Sequence, residues 1–486
     1  MEIPIDLVFF KPSSKKHQKL IPILKVLSLI EIASNLKFLI KFMSKFLLFC
    51  FIFISKSLFG QTFNSIEIHA DLAVLKERIE EIHPNPYKFI AQSQFQQLYD
   101  SLYSIEKPLT VKQTFSNFLT LTKAIQCGHT SIFVDERLIP PSNINPKFLP
   151  FDIAIFDNKV YISRNLSENP DLVKGTEITE IEEIPMDKLL KNITKYTFQN
   201  GDGSSKDVDL YYIQRNFRKL LYIFLGEQDE LHLKVKNINK KTERVSIKTQ
   251  SLAYLREMEA ERNPIRNAEF YKNIYLTELN SKTSILRIRS FDGNEFENGN
   301  FKQEILNIFK KIEEKQTKNL IIDLRNNAGG GLEYADEVLK YLLNKPYQKY
   351  QVSNTQGIED KKKPYTVSRF YEPSTNYLFT GNLFVLVNEG TFSAAVYMAA
   401  HLKNQNKGIF IGSTCGGAAD GSSAGKFTSF TLPNTKFTIS LPLLKINYNA
   451  TKETKLTPDH QIQQSFLEFL QGEDAALNYT KNLIIN

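Results

Sequence analysis

The chain of 486 residues has only three cysteines, Cys50, Cys127 and Cys415. Three thiols are too few for a disulfide scaffold and too scattered along the chain for a zinc site, so we expect free buried thiols, with a Cys127–Cys415 pair as the alternative. The net charge of +8 is spread along the chain, with no long basic run after residue 45. Because zinc-finger spacing, an RNP-type aromatic motif and a basic helix are also missing, the sequence argues against nucleic-acid binding.

The N-terminal region lacks an apolar run long enough for a standard transmembrane helix. From Met43 the sequence has a lysine, the apolar run Phe46–Ile54 and small residues near Gly60, which is the layout of a secretory signal peptide. We therefore expect translation to start at Met43, with residues 1–61 being a dubious extension plus a signal peptide. The prediction is a secreted or periplasmic protein. The alternative is an uncleaved N-terminal segment that anchors the chain to a membrane.

Hydrophobic periodicity divides the rest of the chain into three predicted domains. Residues 65–146 indicate a helical cap, in which "DLAVLKERIEEI" has an apolar face and Asp71 is placed to cap the helix. Residues 147–252 are rich in short strand patterns and predict a small β-rich module. Residues 265–475 alternate strands with helices, which predicts an α/β domain with a parallel or mixed sheet.

A serine stands where the buried strand "NLFVLVN" gives way to a helix of small residues, in "GTFSAA". At this seam Ser393 is expected at the sheet edge and at a helix N-terminus, where the helix dipole favours developing negative charge. That position suits a nucleophile that attacks a carbonyl group. The alternative is a helix-capping serine, and the Gly-x-Ser-x-Gly motif of α/β-hydrolases is absent.

The glycine-rich segment "DLRNNAGGG" follows another buried strand. Its glycines, Gly329 to Gly331, allow backbone N–H groups to approach a substrate closely, as an oxyanion hole requires. A phosphate-binding loop is the alternative, but the Gly-Lys-Ser/Thr of a P-loop is missing. A plain turn is the other alternative. The N–H of Ala394, next to Ser393, is a second candidate donor.

A serine nucleophile also needs a base, and His129 in "QCGHTSIFVD" is the best-placed histidine. It lies at a predicted helix-to-strand turn. A surface or packed histidine is the alternative, since spacing alone cannot pair His129 with Ser393. For His83, in "HPNPY", we favour packing at a helix end.

Several of these motifs together resemble one family. "IIDLRNNAGG", "VLVNEGTFSAA", an "IG…T…GG" segment and "TPDHQI" are similar to the carboxyl-terminal processing and tricorn-type serine peptidases. "DLAVLKERIEEIHPNPY" and "GHTSI" resemble the cap of secreted bacterial members, and "KGTEITEIEEIPMDKLL" resembles the PDZ-type module of the family. The similarity covers most of residues 65–470. It implies a crotonase/ClpP-like ββα spiral core, a PDZ-like module at 147–252, Ser393 as nucleophile, and Gly329, Gly330 and Ala394 as oxyanion donors.

The resemblance also implies which group activates the serine. The processing branch uses a lysine in the loop after "IG", but Ala418 stands at that place, and Lys426 is a poor substitute. The tricorn branch uses a histidine from the cap, which implies His129 as base and Glu453 as the assisting acid. The serine that precedes that histidine in the tricorn branch is Gly128 here, and the hydroxyl of Thr130 is a candidate replacement.

The resulting hypothesis is a secreted or periplasmic serine endopeptidase that cleaves unfolded or C-terminal peptide segments through a Ser–His acyl-enzyme, with no metal or other cofactor. We expect peptides or unfolded proteins as substrates and added strands as their binding mode. The alternatives are a catalytically inactive peptide-binding member of the same fold and an acyl hydrolase that acts on small esters. The oligomeric state cannot be predicted from these patterns.

Overall fold

The computed structural model describes residues 61–141, 144–198, 201–262, 273–293, 301–354 and 370–485. The predicted signal peptide at 1–61 lies outside this part of the chain, apart from residue 61. Within the described residues, no helix combines the length and the apolar character needed to span a membrane. From Phe63 on, the described residues belong to one compact unit. The proposed boundaries near residues 146, 252 and 265 remain predictions.

The described secondary structure is a mixture of helices and strands. The α-helices are Ser65–Ile82, Gln92–Tyr103, Val111–Ala124, Met186–Ile193, Lys206–Leu225, Leu252–Arg262, Phe301–Glu314, Leu332–Leu339, Ala394–Asn404, Phe466–Gln471 and Ala475–Ile485, with a 3-10 turn at Thr194–Tyr196. The strands are β1 (Thr62–Phe63), β2 (Leu109–Thr110), β3 (Ser131–Ile132), β4 (Lys147–Phe148), β5 (Phe151–Phe156), β6 (Lys159–Asn165), β7 (Glu177–Ile181), β8 (Ile184–Pro185), β9 (Glu230–Lys236), β10 (Thr242–Lys248), β11 (Gln250–Ser251), β12 (Ile274–Asn280), β13 (Thr283–Ile288), β14 (Asn319–Asp323), β15 (Tyr347–Gln348), β16 (Gln351–Asn354), β17 (Phe370–Tyr371), β18 (Asn382–Val387), β19 (Ile409–Gly412), β20 (Gly421–Thr431), β21 (Thr438–Asn447) and β22 (His460–Gln461). The predicted α/β class is confirmed.

The first helix shows how local sequence sets the cap. Its apolar residues Ile68, Leu72, Leu75 and Ile79 are fully buried, as the periodicity predicts, whereas Ile82 at the helix end is half-buried. The helix begins earlier than expected, because Asn64 caps it in a capping box with Glu67. The prediction that Asp71 caps the helix is therefore wrong. Asp71 is buried in the second turn and accepts hydrogen bonds from the backbone N–H groups of Asn434 and Thr435, which ties the cap to the C-terminal half of the chain.

The segment predicted to be β-rich contains both a sheet and helices. Its sheet has the order β10-β9-β7-β6-β5 with antiparallel pairing. The helix Lys206–Leu225 was not expected in this segment; Ser205 caps it and it packs on β5. Side chains of this helix bind the open edge of β5: Gln214 accepts the N–H of Ile155 at 2.8 Å, and Arg218 donates to the carbonyl of Phe151 at 2.8 Å.

The central sheet positions the nucleophile. Its order is β12-β13-β14-β18-β19-β22, and all pairs except β12–β13 are parallel. This confirms the predicted parallel or mixed sheet. The middle strands β14 and β18 are buried on both faces, which explains their continuous apolar runs. Since β14 and β18 are parallel neighbours, the loops after them, which hold "RNNAGGG" and Ser393, leave the sheet side by side.

A second sheet brings the cap to this edge. Strands β16, β21 and β20 pair in that order, and the short strand β3 of the cap adds to β21, with Ile132 opposite Ile439 and Ser131 opposite Ser440. His129 lies two residues before β3. The pairing therefore fixes a histidine from the first third of the chain against the C-terminal half.

Candidate active site

Ser393 occupies a backbone conformation that side-chain-bearing residues rarely adopt. Its φ is 53° and its ψ is −122°, at the residue that precedes the helix Ala394–Asn404. Strain of this kind costs about 1–3 kcal/mol and is concentrated at functional sites. The Ser393 side chain makes no capping hydrogen bond. The alternative of a simple helix-capping serine is therefore not supported by the structure, because the hydroxyl is not used to cap the helix.

The loop before Ser393 is held by the neighbouring glycine-rich loop. The hydroxyl of Thr391 donates to the carbonyl of Leu324 at 2.9 Å, and the N–H of Phe392 donates to the carbonyl of Asn327 at 2.9 Å. Asn327 is fully buried and also donates its side-chain amide to the carbonyl of Ile288. These bonds join the ends of β13, β14 and β18 into one rigid frame around Ser393.

The glycines of this loop approach Ser393 as predicted, but they are not equivalent. A Cβ on Gly329 would lie 2.5 Å from the Cβ of Ser393, so only glycine fits there. The N–H of Gly329, however, donates to Oδ1 of Asn327 at 2.8 Å. The prediction that Gly329 is an oxyanion donor is therefore corrected, because its N–H is already bonded to the Asn327 side chain. Within the described residues, Gly330 and Ala394 have backbone N–H groups without a protein acceptor, and these two are the available donors.

The structure brings His129 and Ser393 together across 264 residues of sequence. Nε2 of His129 lies 3.2 Å from Oγ of Ser393, within hydrogen-bond range. The imidazole packs on the ring of Phe392 at a centroid distance of 4.6 Å. Gly128 is explained by the same ring, because a Cβ at Gly128 would come within 2.6 Å of Phe392. A serine before the histidine, as in the tricorn branch, would not fit here without a shift of Phe392.

Burial lowers the pKa of His129, while the nearby charge of Asp202 acts in the opposite direction. The imidazole is consequently neutral near pH 7, which a general base requires. Its Nδ1 is buried and makes no hydrogen bond. His83 also lies close enough to interact electrostatically with His129; burial, and secondarily His129, lowers the pKa of His83 to about 3. His83 follows the helix Ser65–Ile82 as its C-cap, in agreement with the predicted packing position.

Asp202 is the acidic residue that the sequence reasoning missed. A carboxylate oxygen of Asp202 lies within 4.8 Å of a ring nitrogen of His129. The backbone N–H groups of Gly128 and Ala418 donate to its two oxygens at 3.0 and 3.2 Å, which fixes the carboxylate between the two loops. The only local signal is an aspartate between glycines in "NGDGSS", a pattern that is also common in ordinary turns.

Two other predicted residues lie differently from the expectation. Glu453 is exposed, and the structure places Asp202 rather than Glu453 beside His129, so the prediction of Glu453 as the assisting acid is wrong for this arrangement. The reason is local: the N–H of Glu453 bonds to Thr451 Oγ1 in a surface turn. The hydroxyl of Thr130 is buried beside the Cys127 thiol and does not bond to His129. Lys426 is exposed on β20.

A tyrosine that was not predicted also reaches the serine. Tyr448 is buried, and its hydroxyl lies 3.0 Å from Oγ of Ser422 and next to the Ser393 hydroxyl. Burial raises the pKa of Tyr448, so the phenol is protonated and can donate a hydrogen bond. Cys127 and Cys415 are both free and buried, which confirms the expected free thiols and excludes the alternative disulfide.

Comparisons with known proteins find similarity to peptidases over part of the chain. Residues 282–462 match the model of Peptidase family S41. The chain is 31% identical over 112 residues to the carboxy-terminal processing protease CtpA of Bacillus subtilis (strain 168), covering 23% of this chain and 22% of that protein. It is 28% identical over 131 residues to the carboxyl-terminal-processing protease of a Picosynechococcus species, covering 27% and 28%. The chain thus spans about a quarter of the length of the curated relatives it matches.

A solved structure is similar over nearly the whole described chain. The crystal structure of mature CPAF complexed with lactacystin superimposes with a TM-score of 0.61 at 14% identity, covering 87% of this chain and 98% of that one. At this identity the similarity concerns the fold alone. Together, these comparisons show that residues 282–462 are similar to peptidase family S41 and that carboxyl-terminal processing proteases are among the relatives of this chain.

Proposed function

We propose that this chain is a serine endopeptidase in which Ser393 and His129 form the catalytic pair. The observation that carries the proposal is the 3.2 Å separation between His129 Nε2 and Ser393 Oγ, at a strained serine that does not cap its helix. In the proposed reaction His129 removes the hydroxyl proton as Ser393 Oγ attacks the scissile carbonyl carbon. The N–H groups of Gly330 and Ala394 stabilise the oxyanion.

The second half of the reaction uses the same groups. The imidazolium of His129 gives its proton to the leaving amine, and the acyl group remains on Ser393. A water molecule, deprotonated by His129, then attacks the ester carbon and releases the carboxylate product. The negative charge of Asp202 stabilises each imidazolium as it forms, since the carboxylate is held at a fixed position by two backbone donors.

The outer edges of the two sheets indicate where an extended peptide substrate would bind. Strand β5 is the outer strand of the module that we propose to be PDZ-like. Gln214 and Arg218 bond to the backbone at its outer edge, so a peptide strand cannot pair there. By contrast, β20 is the last strand of its sheet among the described residues, and its outer half, from Gly425 on, is mostly exposed. Phe427 on this half lies 6.4 Å from His129, ring to ring. We propose that an extended peptide adds to β20 and so passes the catalytic pair.

Replacement of Phe427 tests this placement of the peptide. Phe427 is 50% exposed, so Phe427→Ala should fold normally. We expect a rise in KM for an unfolded protein substrate of about fivefold, corresponding to about 1 kcal/mol of lost apolar contact. Labelling of Ser393 by a small fluorophosphonate should be unchanged. The matched control is Phe370→Ala, another exposed phenylalanine, on β17; an equal effect of both variants would contradict the assignment.

The core and the cellular location are further parts of the proposal. A crotonase/ClpP-like core is supported by the parallel central sheet with a second sheet, β16-β21-β20, at its carboxyl edge.

Export from the cytoplasm is supported by the signal-like pattern from Met43. Expression of the full chain in a Gram-negative host, with fractionation and N-terminal sequencing, tests export. A mature N-terminus near residue 61 in the periplasm is expected, and an intact chain in the cytoplasm would contradict it.

Covalent labelling tests the catalytic pair directly. A fluorophosphonate probe, located by peptide mass spectrometry, should label Ser393, and His129→Ala should abolish the label. Absence of label from a well-folded wild-type chain would overturn the peptidase proposal in favour of a peptide-binding protein. Comparison of an unfolded protein with a small ester as substrates separates the endopeptidase from a small-ester hydrolase.

A further inference from the structure

The turn that carries His129 also brings three potential metal ligands together. The Sγ of Cys127, a ring nitrogen of His129 and a carboxylate oxygen of Asp202 all lie within 4.8 Å of one another. The Cys127 thiol forms no disulfide and donates to the carbonyl of Ser423 at 3.8 Å, while Nδ1 of His129 is buried without a hydrogen bond. Thiolate, imidazole and carboxylate are the three ligand types that Zn²⁺ uses, usually at four tetrahedral positions. The sequence spacing does not reveal these three ligands as a set, because Asp202 belongs to a loop that is distant from Cys127 and His129 in the sequence.

Charge and rigidity both suit a divalent cation at this place. The carboxylate of Asp202 is fixed by the N–H groups of Gly128 and Ala418, and Cys127 and His129 lie on one short turn. A thiolate and a carboxylate together carry two negative charges, so they neutralise a divalent ion. Neutrality matters here because a partly buried site tolerates net charge poorly.

We propose that Cys127, His129 and Asp202 form a site for Zn²⁺ or a similarly soft divalent cation that reversibly switches the enzyme off. On binding, the S–H bond of Cys127 breaks, a Zn–S bond forms, and the proton is released to water. Three protein ligands leave a fourth position for a water molecule. The bound cation opposes protonation of His129, so the imidazole can no longer take the proton of Ser393. The inhibition rests on the proposed function; the binding does not.

Cobalt binding by the full-length Ser393→Ala chain tests the site without any need for activity. Co²⁺ bound to a thiolate gives an intense near-ultraviolet charge-transfer band. We expect this band to saturate at one equivalent of Co²⁺, to be competed away by Zn²⁺, and to be lost when Cys127→Ser is added. Cys415→Ser is the matched control, because Cys415 is also free and buried but is not part of the cluster. The band should survive in that variant.

A second measurement connects binding to the catalytic pair. Zn²⁺ should slow fluorophosphonate labelling of Ser393 in the wild-type chain, and Cys127→Ser should need at least tenfold more Zn²⁺ for the same effect. Loss of the cobalt band in Asp202→Asn would support the site independently, should Cys127→Ser fold poorly. A band that is absent from folded protein, or that persists in both Cys127→Ser and Asp202→Asn, would overturn the proposal. If the cobalt band appears in the Ser393→Ala chain but Ser393 of the wild-type chain is never labelled, the metal site stands and the proposed peptidase function is refuted.

Discussion

Two imidazoles lie near opposite ends of the helix Ala394–Asn404, one half-buried and one buried, and only the half-buried one lies beside the proposed nucleophile. His129 meets Ser393 at the start of the helix, whereas His401 lies in its last turn. His401 is packed between the rings of Tyr347 and Tyr397, at 4.4 and 4.6 Å. Burial lowers the pKa of both histidines, that of His401 to about 4. Burial alone therefore does not distinguish a base from a packed histidine.

The difference lies in the hydroxyl groups around each ring. Both tyrosine hydroxyls near His401 donate to the buried carboxylate of Asp336, so their protons are already bound. Ser393 instead presents its hydroxyl to His129 from a strained backbone, next to unused N–H groups. A proton can be moved only where the hydroxyl is uncommitted and where a negative charge, that of Asp202, can stabilise the product imidazolium.

The largest effect is expected from Ser393→Ala, which removes the proposed nucleophile. We expect peptidase activity to fall by about 10³-fold or more, with little change in stability because the hydroxyl caps nothing. The matched control is Ser465→Ala, since Ser465 does cap its helix in a capping box with Glu468. That variant should lose about 1 kcal/mol of stability and keep its activity. Enzyme assays and urea unfolding measure both; the reverse pattern would contradict the roles assigned to the two serines.

Replacing each histidine tests the comparison itself. His129→Ala should lower kcat by about 10²- to 10⁴-fold, the usual contribution of a general base. His401→Leu should leave kcat within twofold, because His401 touches no reacting group. If His401→Leu were as inactive as His129→Ala in folded protein, burial rather than the hydroxyl partner would be the property that matters.

The sequence located those parts of this site that are set locally. Ser393 and its glycine-rich loop stand at strand ends, where a buried run stops at glycine, and this pattern is visible in a few residues. His129 could be assigned only through a family resemblance, because the pairing of β3 with β21 is a tertiary contact.

Asp202 and Glu453 show where such inference fails. Asp202 reaches His129 because its loop lies between the turns of Gly128 and Ala418, and no local pattern encodes that arrangement. The position of Glu453 just before "TPDHQ" predicts an assisting acid, but a surface turn directs its side chain to solvent. The helix Lys206–Leu225 was missed because its many aromatic residues are also typical of strands.

Acid should destabilise the fold through its packed histidines. The pKa of His83 is lowered to about 3 and that of His401 to about 4, so the unfolded chain binds more protons than the folded one below pH 6.5. Stability should fall as the pH falls from 7 to 5, by roughly 2 kcal/mol for each histidine. His401→Leu should remove its share of this loss in urea titrations at the two pH values. His232→Asn, at an exposed position on β9, should not; equal slopes in both variants would contradict the assignment.

Asp202→Asn should have a smaller but more specific effect on activity than His129→Ala. Asp202 raises the pKa of His129 against the effect of burial, so removal of its charge should lower that pKa further. In the dependence of kcat/KM on pH, the fall on the acid side, already below pH 6.5 in the wild type, should move to lower pH. The plateau of kcat/KM should fall roughly tenfold because the base is weaker. Glu453→Gln is the matched control and should change neither the limb nor the plateau. A purely structural Asp202 would lower the plateau without moving the limb, and that outcome would separate anchoring of the two loops from electrostatic support of His129.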